Sequence, residues 1–238
     1  MNLWERFRGW LVGSEVARRV NLAVAVLDDL RDRQYGRGKE GDRDRFVYDR
    51  AEVLKDALDA WRFNPLARRI VSLTSEYVVG GGLRVVAEDE KTNEFLQEWW
   101  DHRLNRMGSR VFELADELWR TGELFPLIST DASGMSFVRA VPASDVEEIV
   151  TAANDMEQEQ MFLSSAAVLD ETGLRWAAYS EAEDAQGDDG SFPVRMVHYA
   201  LNRTVGGLRG ESDLAPILRW LKRHNQWLED RVRLNHFR

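Results

Sequence analysis

The chain has 238 residues, 44% hydrophobic and 31% charged, with nine tryptophans, ten phenylalanines and no cysteine. That length predicts one or two domains, and the composition excludes disordered, collagen-like and low-complexity classes. The absence of cysteine excludes a disulfide framework, a thiolate zinc site, an iron–sulfur cluster and a cysteine nucleophile, and the net charge of −9 speaks against a simple nucleic-acid coat protein.

In chain order, Met1–Arg6 lacks the apolar stretch of a signal peptide, and no later run approaches the ~20 apolar residues of a membrane span, which predicts a soluble cytoplasmic product. Val16, Val20, Ala23, Val24, Leu27 and Leu30 recur at helical spacing, which predicts a helix from Ser14 to about Arg33. Arg31 to Arg45, rich in glycine and charge, reads as a linker. A helix from about Arg50 carries Val53, Leu54, Leu58 and Trp61. Asn64-Pro65 then caps and starts another, expected to bury Leu66, Ile70, Leu73 and Tyr77. It stops at Gly80-Gly81-Gly82, and Leu83–Val86 reads as a strand. Lys91–Trp100 and Ser109–Arg120 are helical, and Thr121-Gly122-Glu123 turns into a meander. Its expected strands are Leu124–Ser129, Met135–Val141, Asp145–Thr151, Gln160–Leu169, Leu174–Tyr179 and Val194–Tyr199, with a hairpin turn at Asp131–Gly134 and an acidic loop at Glu181–Gly190.

A last helix is expected from Ser212 or Asp213 to Arg238, spanning roughly 40 Å. It carries two apolar stripes: Leu214, Ile217, Leu218, Leu221, Leu228 and Val232, and a second, offset one of Trp220, Trp227 and Leu234. One stripe suffices for a surface helix of a monomer, so two predict burial on two sides. With no glycine, proline or clear C-cap beyond Phe237, the sequence reads as ending inside a larger architecture. Charge changes along the chain as well. Residues 144–192 hold thirteen acids against one arginine, whereas residues 193–238 hold nine basic residues against four acids. Such asymmetry predicts two surfaces with different neighbours.

Motifs for catalysis are missing from the sequence. Gly80-Gly81-Gly82 follows a helix and precedes a strand, the reverse of a phosphate loop, and lacks its Gly-Lys-Ser/Thr ending; a helix C-cap fits better. Glu113, Asp116, Glu117 and Glu123 read as a solvated helix face rather than paired catalytic carboxylates. His102, His198, His224 and His236 lack metal-ligand spacing, and Ser133 and Ser136 flank a hairpin without a nucleophile-elbow context. The residues by themselves predict an α+β protein with no enzymatic activity, no metal and no cofactor.

Several ordered stretches resemble the portal protein of tailed bacteriophages, of the siphophage-like type. They are Arg62–Ile70 (RFNPLARRI), Tyr77–Leu83 (YVVGGGL), Leu118–Phe125 (LWRTGELF), Val138–Ile149 (VRAVPASDVEEI), Val197-His198-Tyr199, and Leu208–Leu218 (LRGESDLAPIL) with the helix through Arg231. Their order and spacing across residues 62–238 carry the resemblance.

The resemblance implies an α+β wing of helices on a small, mostly antiparallel or mixed sheet, followed by a long stem helix. The expected divisions are residues 1–49, an N-terminal helix and charged linker; 50–209, the wing; and 210–238, the first stem helix. Clip, second stem helix, tunnel-lining helix and crown are expected after Arg238. It further implies a ring homo-oligomer, a dodecamer, at one capsid vertex of the virion, made in the bacterial cytoplasm. Implied partners are double-stranded DNA, the terminase large subunit, and capsid and head–tail adaptor proteins, without a membrane. On this reading Arg219, Lys222, Arg223, Arg231 and Arg233 face the DNA channel or a neighbouring subunit, and Trp220, Trp227 and Leu234 form the oligomer interface. The competing reading is a non-viral adaptor or scaffold that oligomerises through the same helix.

Overall fold

In the computed structural model, residues 48–169, 173–180 and 192–236 are described. The helix expected at 14–33, the linker at 31–45 and the acidic loop at 181–190 lie outside the described residues. The chain divides at Asp49/Arg50 into two units, and every element below belongs to the second.

Local chemistry sets the helical layer. Helix α1 (Arg50–Phe63) ends one residue before α2 (Pro65–Val79). Between them Asn64 accepts hydrogen bonds from the backbone N–H of Leu66 and Ala67, at 2.9 and 3.3 Å. This is the N-cap that an Asn-Pro pair predicts, since Pro65 at the first helical position lacks a donor that would go unsatisfied. Gly80, at φ 57°, closes α2. Helix α3 (Glu90–Asp101) is capped by Asp89, which accepts from Thr92 N at 2.8 Å. Helix α4 (Met107–Thr121) ends at Gly122.

Two expectations fail in this layer. Leu83–Val86 forms no strand; it runs extended and exposed beside α3, where Gln97 Nε2 donates to Val85 O at 3.0 Å. A β-branched run still needs a ladder partner to become a strand, and among the described residues no strand pairs with this one. Helix α2 is also turned the other way. Leu66, Ile70, Leu73 and Tyr77 face outward, Tyr77 at 81% exposure, while Ala67, Val71, Ser75 and Val79 are buried. Ala67 and Val71 pack into a core with Leu214 and Leu221, and the small Ser75 lies against α4, where its Oγ donates to Asp116 Oδ1 at 2.5 Å.

The strands form two small sheets rather than one meander. In the first, β1 (Glu123–Thr130) pairs antiparallel with β2 (Ser136–Val141), in register Phe125 to Val141, and with the short β6 (Arg195–Met196) and β7 (Tyr199–Ala200). Asp131 Oδ1 accepts from Ser133 N and Met135 N in the connecting turn, where Gly134 takes φ 89°. The second is antiparallel β3 (Glu148–Ala152), β4 (Asp155–Leu163) and β5 (Arg175–Ala177), in that order. Pro142 and the 3₁₀ turn Ala143–Asp145 separate the sheets, because proline cannot donate to a continuing ladder. A short helix α5 (Ser165–Leu169) follows β4.

Two apolar cores result. Phe125, Val146, Phe162 and Met196 fill the space between the sheets, with the two phenylalanine rings edge to face at 5.7 Å. Ala57, Ala67, Val71, Leu214 and Leu221 form the other among the helices, flanked by Trp61 and Trp119. Asn105, fully buried, bonds Trp99 O, Ser136 O and Val138 N at 3.0, 3.0 and 3.1 Å, tying the α3–α4 turn to β2.

Candidate functional site

The segment leading to the last helix starts from a junction of glycines. Gly122 takes φ 79°, and a Cβ on it would stand 2.3 Å from the Glu211 carbonyl carbon; one on Gly210 would stand 2.0 Å from Gly122 O. Only glycine permits this approach. Leu201 N donates to Gly122 O at 2.8 Å and Glu211 N to Leu201 O at 2.9 Å. Two of the stretches singled out in the sequence, Leu118–Phe125 and Leu208–Leu218, therefore meet here.

Glu123 points into the protein from that junction and is fully buried, which corrects its reading as part of a solvated face. Arg50 Nη2 donates to it at 2.6 Å, Arg209 Nη1 at 3.3 Å and Gly210 N at 3.3 Å; His198 Nε2 lies 3.4 Å away. His198 Nδ1 stands 2.5 Å from Glu159 Oε1, and its ring stacks on Phe125 at 4.5 Å. Arg50 donates to Ala143 O, and Arg209 to Val146 O and Glu147 O. Burial works to raise the Glu123 carboxyl, but His198, Arg209 and Arg50 outweigh it and hold it below its ordinary value. Burial likewise works to lower His198, and Glu123 and Glu159 overcome it, raising the imidazole above its usual value. Arg209 is lowered by burial, although Glu123 opposes the shift. Chemically this is a brace: a neutralised carboxylate binding α1, β1, β4 and the 198–210 region together.

Of the other carboxylates read as solvated, Glu113 is exposed, Asp116 bonds Ser75, and Glu117 pairs with Arg120 on its own helix. Among the described residues no group of three or more His, Cys, Asp or Glu is placed to hold a metal ion, and no helix is long and apolar enough to cross a membrane.

Helix α6 (Leu218–His236) has 19 residues, a length of about 28 Å. It begins later than expected because Pro216 sits in a 3₁₀ turn, Ala215–Ile217, ahead of it; Ser212 Oγ instead accepts from Leu214 N at 3.0 Å. The first apolar stripe divides in two. Leu214 and Leu221 are buried in the helical core with Ile217 and Leu218 against it, and Asn64 Nδ2 donates to Asn225 Oδ1 at 3.3 Å. Beyond Leu221 every residue through His236 is exposed, Leu228 and Val232 included.

The second stripe is exposed along its length: Trp220 57%, Trp227 54%, Leu234 65%. At about 100° per residue, it lies roughly 120° around the helix from Leu221. Lys222 and Arg233 lie on the flank away from the tryptophans, Arg219 and the exposed Arg223 farther round the helix with Arg219 half-buried, whereas Arg231 lies among the tryptophans. Arg223 sits 5.5 Å over the Trp220 ring, Arg231 5.3 Å over Trp227, and Arg233 pairs with Glu229 at 3.8 Å. The eight residues singled out in the sequence thus share one helix, with an apolar and a basic face. No protein-family model matches the chain, and no curated protein matches it.

Sequence reasoning missed the Glu123 cluster. Its members are separated by tens to more than a hundred residues, so no spacing marks them. Gly122 and Gly210, each beside a charged residue, were the only signal.

Proposed function

We propose that this chain is a subunit of a ring-forming DNA conduit of the tailed-bacteriophage portal type, placed at a capsid vertex for genome packaging, ejection and head–tail connection. One observation carries the reading: α6 leaves the helical core after Leu221 with an exposed aromatic stripe on one side and basic residues on another. A ring subunit needs an apolar surface for its neighbours and positive potential near DNA phosphates, without groups that read bases. The order of the portal-like stretches supports the same reading. A conduit needs no catalytic residues, because a separate terminase ATPase drives packaging, and the acidic body keeps DNA from sticking elsewhere.

Burying two tryptophans and a leucine at ~25 cal/mol per Å² contributes several kcal/mol per contact, reduced by the cost of association. The test is the size of the assembled protein by native mass spectrometry and electron microscopy. Closed rings are expected, and Trp220→Ser with Trp227→Ser leaves the circular dichroism of the subunit unchanged while abolishing them. A protein that stays monomeric at every concentration overturns the reading, and oligomers that never close support the adaptor or scaffold instead.

A further inference from the structure

We infer that the aromatic, basic side of α6 docks on the acidic, apolar surface that α3 and residues 83–87 form on a second copy of this chain. The inference rests on the ring reading and names the surface that receives the helix. A closed ring needs two different patches on each subunit, one complementary to the other, because a self-complementary patch stops at a dimer.

Three surfaces compete as receiver. The outer stripe of α2 is apolar, but Arg62, Arg68 and Arg69 accompany it and repel the arginines of α6. The N-terminal end of β4 is acidic, with Asp155 and Glu157, yet Met156 is its one large exposed apolar residue and Glu157 already pairs with Arg203. The α3 surface has both properties. No residue of α3 is buried, and Leu83, Val85, Val86 and Phe95 are exposed. Hydrogen bonds from Gln97 Nε2 to Val85 O and from Ala87 N to Asn93 Oδ1 hold the extended run against the helix.

Residues 83–101 carry six acids against Arg84 and Lys91, while α6 carries five basic residues against Glu229 and Asp230. Opposite charge around apolar centres steers association and fixes register. Glu94 and Glu98 stand on the exposed side of α3 next to Phe95, so they are the groups that meet Arg223 and Arg231.

Two full-length variants separate the claims. One is Trp220→Ser with Trp227→Ser; the other is Glu94→Lys with Glu98→Lys, both exposed positions where folding is checked by circular dichroism. Each variant alone is expected to be monomeric in sedimentation velocity. Mixed at equal concentration they form a dimer and nothing larger, because one intact α6 meets one intact α3 surface. If the α3 variant still builds rings of normal size, or the mixture yields no dimer, the inference is overturned while ring formation by the unmodified chain stands. If the unmodified chain does not assemble, both fall.

Discussion

A carboxylate removed from water needs its charge matched, and Glu123 has two guanidinium groups and an imidazole within 3.4 Å. Leaving such a group unpaired is strongly destabilising, by roughly 3–5 kcal/mol. The opposed shifts also set a pH window. Glu123, held low, contributes stability that is present above its unfolded value and lost as pH falls through the folded one. His198, held high, contributes stability that is complete below about pH 6.5 and lost as pH rises through its raised value. Stability from this junction is therefore greatest in mildly acidic solution. Denaturant midpoints are expected to decline on the alkaline side, and His198→Gln should flatten that limb while the acid limb remains. An alkaline decline unchanged in the variant would assign it to another group.

At the scale of elements, what was readable was what is local. Asn64-Pro65 and Asp131–Gly134 satisfy their own backbone groups within three or four residues, so their types announce the cap and the turn. The buried face of α2 was not readable, because its sequence holds two interleaved stripes. Leu66, Ile70, Leu73 and Tyr77 are the more hydrophobic, yet packing against the helical core and α4 selects Ala67, Val71, Ser75 and Val79. Helix separation, set by side-chain size, decided the face, and a single strand of sequence does not state which neighbour will come close. Glu123 was hidden for the same reason, since Arg50, His198 and Arg209 reach it only through the fold. The α2 orientation makes a direct prediction. Ser75→Leu should destabilise by about 1–3 kcal/mol through overpacking and the lost bond to Asp116, whereas Leu66→Ser should stay within about 0.5 kcal/mol. Chemical denaturation of both variants measures this, and the reverse ranking would refute the orientation of α2.

Across the whole molecule, charge and apolar surface divide the labour. The body carries most of the negative charge, and α6 is locally positive. On the proposed conduit reading the subunit must let DNA slide and so cannot hold it tightly, and phosphate contacts supply sequence-independent attraction through counterion release. Arg219, Lys222, Arg223 and Arg233 lie off the tryptophan stripe of α6, so a single subunit offers at most about four phosphate contacts. For the assembly-deficient Trp220→Ser, Trp227→Ser variant, the slope of log K against log salt should then be no steeper than about −4. Affinity should be at or below the non-specific range of about 10⁻⁴–10⁻⁶ M and equal for unrelated duplexes. Fluorescence anisotropy across a salt series measures both quantities. Reversing Lys222, Arg223 and Arg233 to glutamate should remove binding without changing the fold, because all three are exposed on α6. A steep slope near −8 would mean that DNA is held tightly, and a preference among duplex sequences would mean that bases are read; either outcome counts against a passive conduit.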